Sequence, residues 1–122
     1  MLGTNDVWHQ EKFEPQMRKI IEFSIQQGVI PILSTKADNL EGGGNINAAL
    51  ARLSVEYEVP LWNFWAALQD LPDKGLQEDQ AHLTWGANRF NDPVALRRAW
   101  PLHNLTALQT LSAIWQYVSS SP

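Results

Sequence analysis

Two short, mostly apolar runs, Val29–Thr35 and Val59–Trp65, constrain this chain more than any other feature. Each is too short for a typical helix and too continuously apolar for a strand with one wet face, so both read as strands buried on two sides, as in a parallel sheet. Pro31 weakens the first, because it cannot donate to a ladder. Helical periodicity fills the space around them. The spacing of Met17, Ile20, Ile21 and Ile25 predicts a helix from about Pro15 to Gln27, stopped by Gly28. Asn45 is a candidate cap for a second helix carrying Ile46, Leu50, Leu53 and Tyr57 on one face. A helical turn is expected around Ala66–Leu71. A third long helix is expected over about Asn104–Val118, where Leu105, Leu108, Leu111, Ile114 and Val118 recur. Met1-Leu2 reads as the last two residues of a further strand, so sequence is expected upstream of it. Strand, helix, strand, helix, strand, helix is the order of a parallel α/β sheet. Right-handed crossovers then put the two connecting helices on one face and leave the C-terminal helix to cover the other.

At 122 residues the chain is one domain or part of one, and the charged-then-apolar order of a signal peptide is absent from its first residues. Thirteen acidic side chains against nine basic ones, mixed along the chain, leave no basic stripe to support nucleic-acid binding. There is no cysteine, which excludes disulfides and thiolate zinc sites. No run of 18 apolar residues exists to cross a membrane. Six tryptophans are many for this length; Trp62, Trp65, Trp85 and Trp100 are expected as core and pocket walls. Lys36–Gly44, ending in three glycines, reads as a mobile loop.

Functional groups of a doubly wound sheet gather at the carboxyl ends of its strands. Asn5 and Asp6 follow the first strand stub, Ser34 ends the second strand, and Asp79 and His82 come after the third. Asp79-Gln80-Ala81-His82 has a spacing that lets one loop present a carboxylate and an imidazole together. Such a pair can move a hydroxyl proton, the acid fixing the ring's tautomer. The plainer reading is a loop aspartate capping a turn and a histidine packed on Trp85. Gly3-Thr4-Asn5-Asp6 offers an amide that can donate to a developing oxyanion; its plainer reading is a turn leaving a strand. His9 and His103 have no partner at metal-ligand spacing, so no metal site is expected.

The Gly3-Thr4-Asn5-Asp6 and Asp79-x-x-His82 blocks together resemble two of the four signature blocks of the SGNH (GDSL-type) serine hydrolases. The strand–helix order extends the likeness from Met1 to about Val118. The resemblance implies a flavodoxin-like three-layer α/β/α sandwich of sheet order 2-1-3-4-5. Residues 1–122 would be the C-terminal part of that domain, truncated, with parallel strands 3-4-5 and flanking helices. It implies His82 as general base and acid, Asp79 as its partner and Asn5 in the oxyanion hole. Gly3, Thr4, Asp6 and Ser34 would line the pocket. The substrate would be a small ester, an acylated carbohydrate or short acyl ester, and no cofactor is implied. Where the family often has Gly after the Asp, this chain has Gln80. The blocks that carry the nucleophilic serine and an oxyanion glycine have no counterpart, so the chain alone is expected to be inactive. Ser34 is the one internal candidate for that serine. Without its central strands the sheet would expose an apolar edge, inviting self-association.

Overall fold

The computed structural model describes residues 3–122, so the strand stub expected at Met1-Leu2 lies outside the described residues. Helix α1 spans Gln10–Gln26 and starts well before Pro15. Burial of Phe13 extends it backward: Phe13, Met17 and Ile21 form its buried stripe at four-residue spacing, while Ile20 and Ile25 are about half exposed. Pro15 thus sits inside the helix, at a cost of about 3 kcal/mol, which burying a phenylalanine side chain largely offsets at about 2–3 kcal/mol. The helix ends as a Schellman motif, with Gly28 N–H donating to the Ile25 carbonyl and Val29 N–H to that of Ser24, both at 2.9 Å.

Strand β1 is only Leu33–Ser34 and strand β2 only Leu61–Trp62. They pair in parallel, Leu33 opposite Leu61 and Ser34 opposite Trp62. Local chemistry cuts both apolar runs short. Pro31 and Pro60 have no N–H to donate. Beyond β1, the Asn47 side chain takes both backbone groups of Lys36, at 2.8 and 2.9 Å. Beyond β2, Asn63 leaves the strand to cap helix α3, Phe64–Leu68, its side chain accepting from Ala66 N–H at 3.2 Å.

The three-layer, flavodoxin-like sandwich with parallel strands 3-4-5 is therefore not the observed fold. The described residues are 55% helix and 5% strand, and the one sheet among them has two strands. Apolar continuity suggested long strands, and asparagine caps and prolines ended them.

Helix α2, Asn45–Glu56, buries Ile46, Ala49, Leu50 and Leu53 against α1. Its cap is Gly44, and Asn45 is its first residue. Successive strand residues face opposite ways: Leu61 joins the α1–α2 cluster, and Trp62 joins a second cluster built on Phe64, Leu68, Leu76 and Ala99. Helix α4, Ala99–Ser120, begins ahead of the expected Asn104 because Ala99 and Pro101 are buried in its first turn. Only this first part covers the sheet. Leu108, Leu111, Trp115 and Val118 are exposed, so the expected covering of the second face is partial. Of the tryptophans expected as core and pocket walls, Trp62 is half-buried and Trp100, though exposed, lines a cleft; Trp65 and Trp85 are exposed.

Candidate functional site

Asp79 and His82 sit at the tip of a small hairpin between α3 and α4. An antiparallel bridge joins Leu76 to Leu83, and Gln77 N–H donates to the His82 carbonyl at 2.8 Å. Two groups fasten its base. Gly75, at φ 72°, has room for no side chain, since a Cβ would lie 2.7 Å from the Cβ of Ala99. Thr84 accepts at the start of α4, its hydroxyl from Ala99 N–H and its carbonyl from Trp100 N–H, at 2.9 and 3.0 Å. Those are helix N–H groups with no partner inside the helix.

Within the tip, Asp79 Oδ1 accepts from Ala81 N–H and His82 N–H, both at 3.0 Å. Its other oxygen lies 2.5 Å from His82 Nδ1. The His82 backbone N–H, the His82 ring and the Ala81 N–H pull the Asp79 carboxyl down to about 2. Asp79 is thus ionised and can only accept at neutral pH, so in the neutral ring Nδ1 carries the proton. Nε2 is left as the acceptor, with no partner among the described residues. Gln80 bridges the two at φ 57°, a left-handed conformation that glycine would adopt without strain.

Gly3-Thr4-Asn5-Asp6 forms a 3-10 turn, Thr4–Asp6, entered by Gly3 at φ 97°. Gly3 is packed so closely that a Cβ would meet Ile46 Cγ2 at 3.0 Å. Its N–H donates to Asp6 Oδ2 at 3.1 Å, so Asp6 closes the turn. Thr4 Oγ1 donates to Asp38 Oδ2 at 2.8 Å, and there the turn meets a buried ionic network. Lys36 Nζ, fully buried, donates to the Asp38 carboxylate at 2.5 Å, to the Asp38 carbonyl at 2.9 Å and to Glu41 Oε2 at 2.6 Å. Burial raises the Asp38 carboxyl, but hydrogen bonds from Lys36, Thr4 and Leu40 N–H outweigh it and hold it below the usual range. The start of the loop expected to be mobile is thereby locked to the Gly3–Asp6 turn. The Asn5 side chain makes no hydrogen bond among the described residues, which leaves its amide free to donate.

Asn5 and His82 line one cleft of about 860 Å³, with Thr4, Asp38, Trp8 and Trp100 among the other walls. Asp79 holds His82 from behind. Gly3 and Asp6 shape the turn without lining the cleft. Ser34 lines a different, smaller cavity of about 250 Å³ beside β1, and its hydroxyl donates to the Thr35 carbonyl at 3.1 Å. Ser34 therefore does not meet His82. No serine lines the cleft, and its one hydroxyl side chain, that of Thr4, is committed to Asp38.

His103, set aside on sequence, also lines the cleft. Its ring stacks on Trp100, centroids 5.8 Å apart and 7° from parallel. Its position three residues after Trp100 on one helix was the available signal. The ionic network gave a fainter one, Lys-x-Asp directly after a strand. His9 is exposed and outside the cleft. Among the described residues, no three His, Cys, Asp or Glu side chains are grouped to hold a metal ion, and no helix is long and apolar enough to cross a membrane. A second groove of about 590 Å³, more apolar, lies between Val29–Pro31 and the end of α4; it holds none of these groups.

No family model, curated protein or solved structure matches the chain.

Proposed function

We propose that the cleft is the acid–base half of an ester-hydrolysing site of the serine-hydrolase kind. His82 Nε2 takes the proton of the attacking hydroxyl and returns it to the leaving alcohol. Asp79 stabilises the imidazolium formed in between, and the Asn5 amide donates to the oxyanion of the tetrahedral intermediate. The hydroxyl comes from outside the described residues that line the cleft. The observation that carries the reading is the Asp79–His82 contact at 2.5 Å on the same cleft as the uncommitted Asn5 amide.

Nitrogen-15 NMR of the His82 ring tests it. The neutral ring is expected as the Nδ1-protonated tautomer, shifting to mostly Nε2-protonated in Asp79→Ala. A native ring already protonated on Nε2 rules the reading out. With p-nitrophenyl acetate the chain alone is expected to give no burst; a burst lost in His82→Ala would show that the nucleophile is already present.

A second reading is favoured by the open side of β1. Ile30 and Ile32 are exposed there. A strand edge beside exposed apolar side chains invites pairing with a second copy. Sedimentation across a hundredfold concentration range checks this: a monomer throughout excludes it.

A further inference from the structure

We propose that the cleft accepts an uncharged ester with an extended apolar acyl arm and rejects anionic ligands. The ester function rests on the hydrolytic reading above; the charge and shape preference rests on the walls alone.

Size comes first. Clefts of roughly 300–1,000 Å³ enclose drug-sized ligands, and this one, at about 860 Å³, is near the top of that range. An acetyl group would leave most of it filled with water. The walls decide what fills it. Val7, Trp8, Leu40, Leu83 and Trp100 give a mainly apolar lining, against which an aliphatic chain displaces water at a gain of about fourfold in affinity per buried methylene. Trp8 is 85% exposed. An indole that can bury roughly 150–250 Å² stands uncovered at the rim of the cleft where a chain would lie.

Charge then restricts the ligand. No lysine or arginine lines the cleft, whereas the Asp38 carboxylate does. Among the described residues the cation bonded to Asp38 is Lys36, which is shared with Glu41, so these three side chains keep one excess negative charge. Asp79, behind His82, adds another. A ligand carboxylate roughly 8 Å from one uncompensated charge, at an effective dielectric of about 30, loses about tenfold in affinity. A neutral carbonyl meets no such penalty and can accept from Asn5.

Octanamide and octanoate share one chain and differ in charge, and neither needs turnover to report binding. Titrated into the full chain at pH 7 and followed by the backbone amide and indole N–H resonances, octanamide is expected to shift Trp8 and Trp100. Octanoate is expected to bind at least tenfold more weakly. Trp8→Ala, a change at the surface, should weaken octanamide about tenfold, and hexanamide should bind roughly tenfold more weakly than octanamide. Equal or tighter binding of octanoate overturns the proposal. So does an absence of binding by either ligand, or shifts at Tyr117 and Val118 of the other groove in place of Trp8 and Trp100. None of these results touches the His82 tautomer, so the hydrolytic reading stands or falls separately.

Discussion

Replacing Lys36 by methionine keeps the length of the side chain and removes the one charge that, among the described residues, balances two buried carboxylates. The side chains concerned are 0%, 2% and 1% exposed for Lys36, Asp38 and Glu41. Removing one partner of a buried pair costs about 3–5 kcal/mol, because the charge left behind has lost both its water and its counter-ion. A domain of this size has roughly 5–15 kcal/mol in total, so Lys36→Met is expected to lose a large part of it. With a urea slope of about 2 kcal/mol per molar, the unfolding midpoint should fall by about 2 M at pH 7.

The pH dependence separates charge from shape. In the native chain the Asp38 carboxyl is held below its ordinary value. It therefore adds stability above an unfolded value near ~3.9, and that contribution is lost as pH falls through and below this point. Without Lys36, burial pushes the same carboxyl up, and the sign reverses: Lys36→Met should become more stable as pH drops from 7 to 5. The triple variant Lys36→Met, Asp38→Asn, Glu41→Gln carries no buried charge and should regain most of the loss at pH 7. It also remains measurable if the single variant does not fold. A single variant that loses less than about 1 kcal/mol refutes the reasoning, as does a triple variant no more stable than the single.

Gln80→Gly should raise stability by up to about 1 kcal/mol, the left-handed strain removed exceeding the added chain entropy; thermal melting should move up by about 4 °C. The Asp79 carboxyl, held at about 2, adds order to the hairpin tip that is present above its ordinary value near ~3.9 and lost as pH falls from there to about 2. The protection of the Ala81 and His82 amides, their exchange rates taken relative to an unfolded chain at the same pH, should fall over that window. Gly75→Ala should cost about 1–3 kcal/mol, because its Cβ meets that of Ala99, and the His82 ring resonances should move with it.

Helices were legible from apolar spacing: of the residues read on the faces of the first two, Met17, Ile21, Ile46, Leu50 and Leu53 are buried, Tyr57 is partly buried, and Ile20 and Ile25 are exposed. Their boundaries were less legible. Burial of Phe13 and Ala99 carries α1 and α4 back past Pro15 and Asn104, where their starts were expected. Strands were overread for a related reason. An apolar run reports burial, and Val59–Trp65 is divided between β2 and α3 by one asparagine side chain. The Asp79–His82 contact was legible because it spans three residues. The Thr4–Asp38–Lys36–Glu41 network was not, since charged loop residues ordinarily face water and the link from Thr4 to Asp38 crosses 34 positions.

That difference in range gives the two halves of the cleft separate mechanical supports. His82 is oriented by bonds from Asp79 to residues two and three positions on, and the hairpin is seated by Gly75 and Thr84 against α4. Asn5 follows Thr4, which is tied to a network drawn from the segment after β1. Loss of Lys36 should therefore displace the amide donor and leave the imidazole–carboxylate bond intact, whereas crowding at Gly75 should do the reverse. Asn5 and His82 are thus held by separate elements. Their alignment depends on the second apolar cluster, where Ala37, one residue before Asp38, packs with Leu76 of the hairpin and Ala99 of α4. Because Ala37 is flanked by Lys36 and Asp38, it is the point at which the ionic network and the hairpin are referred to one frame.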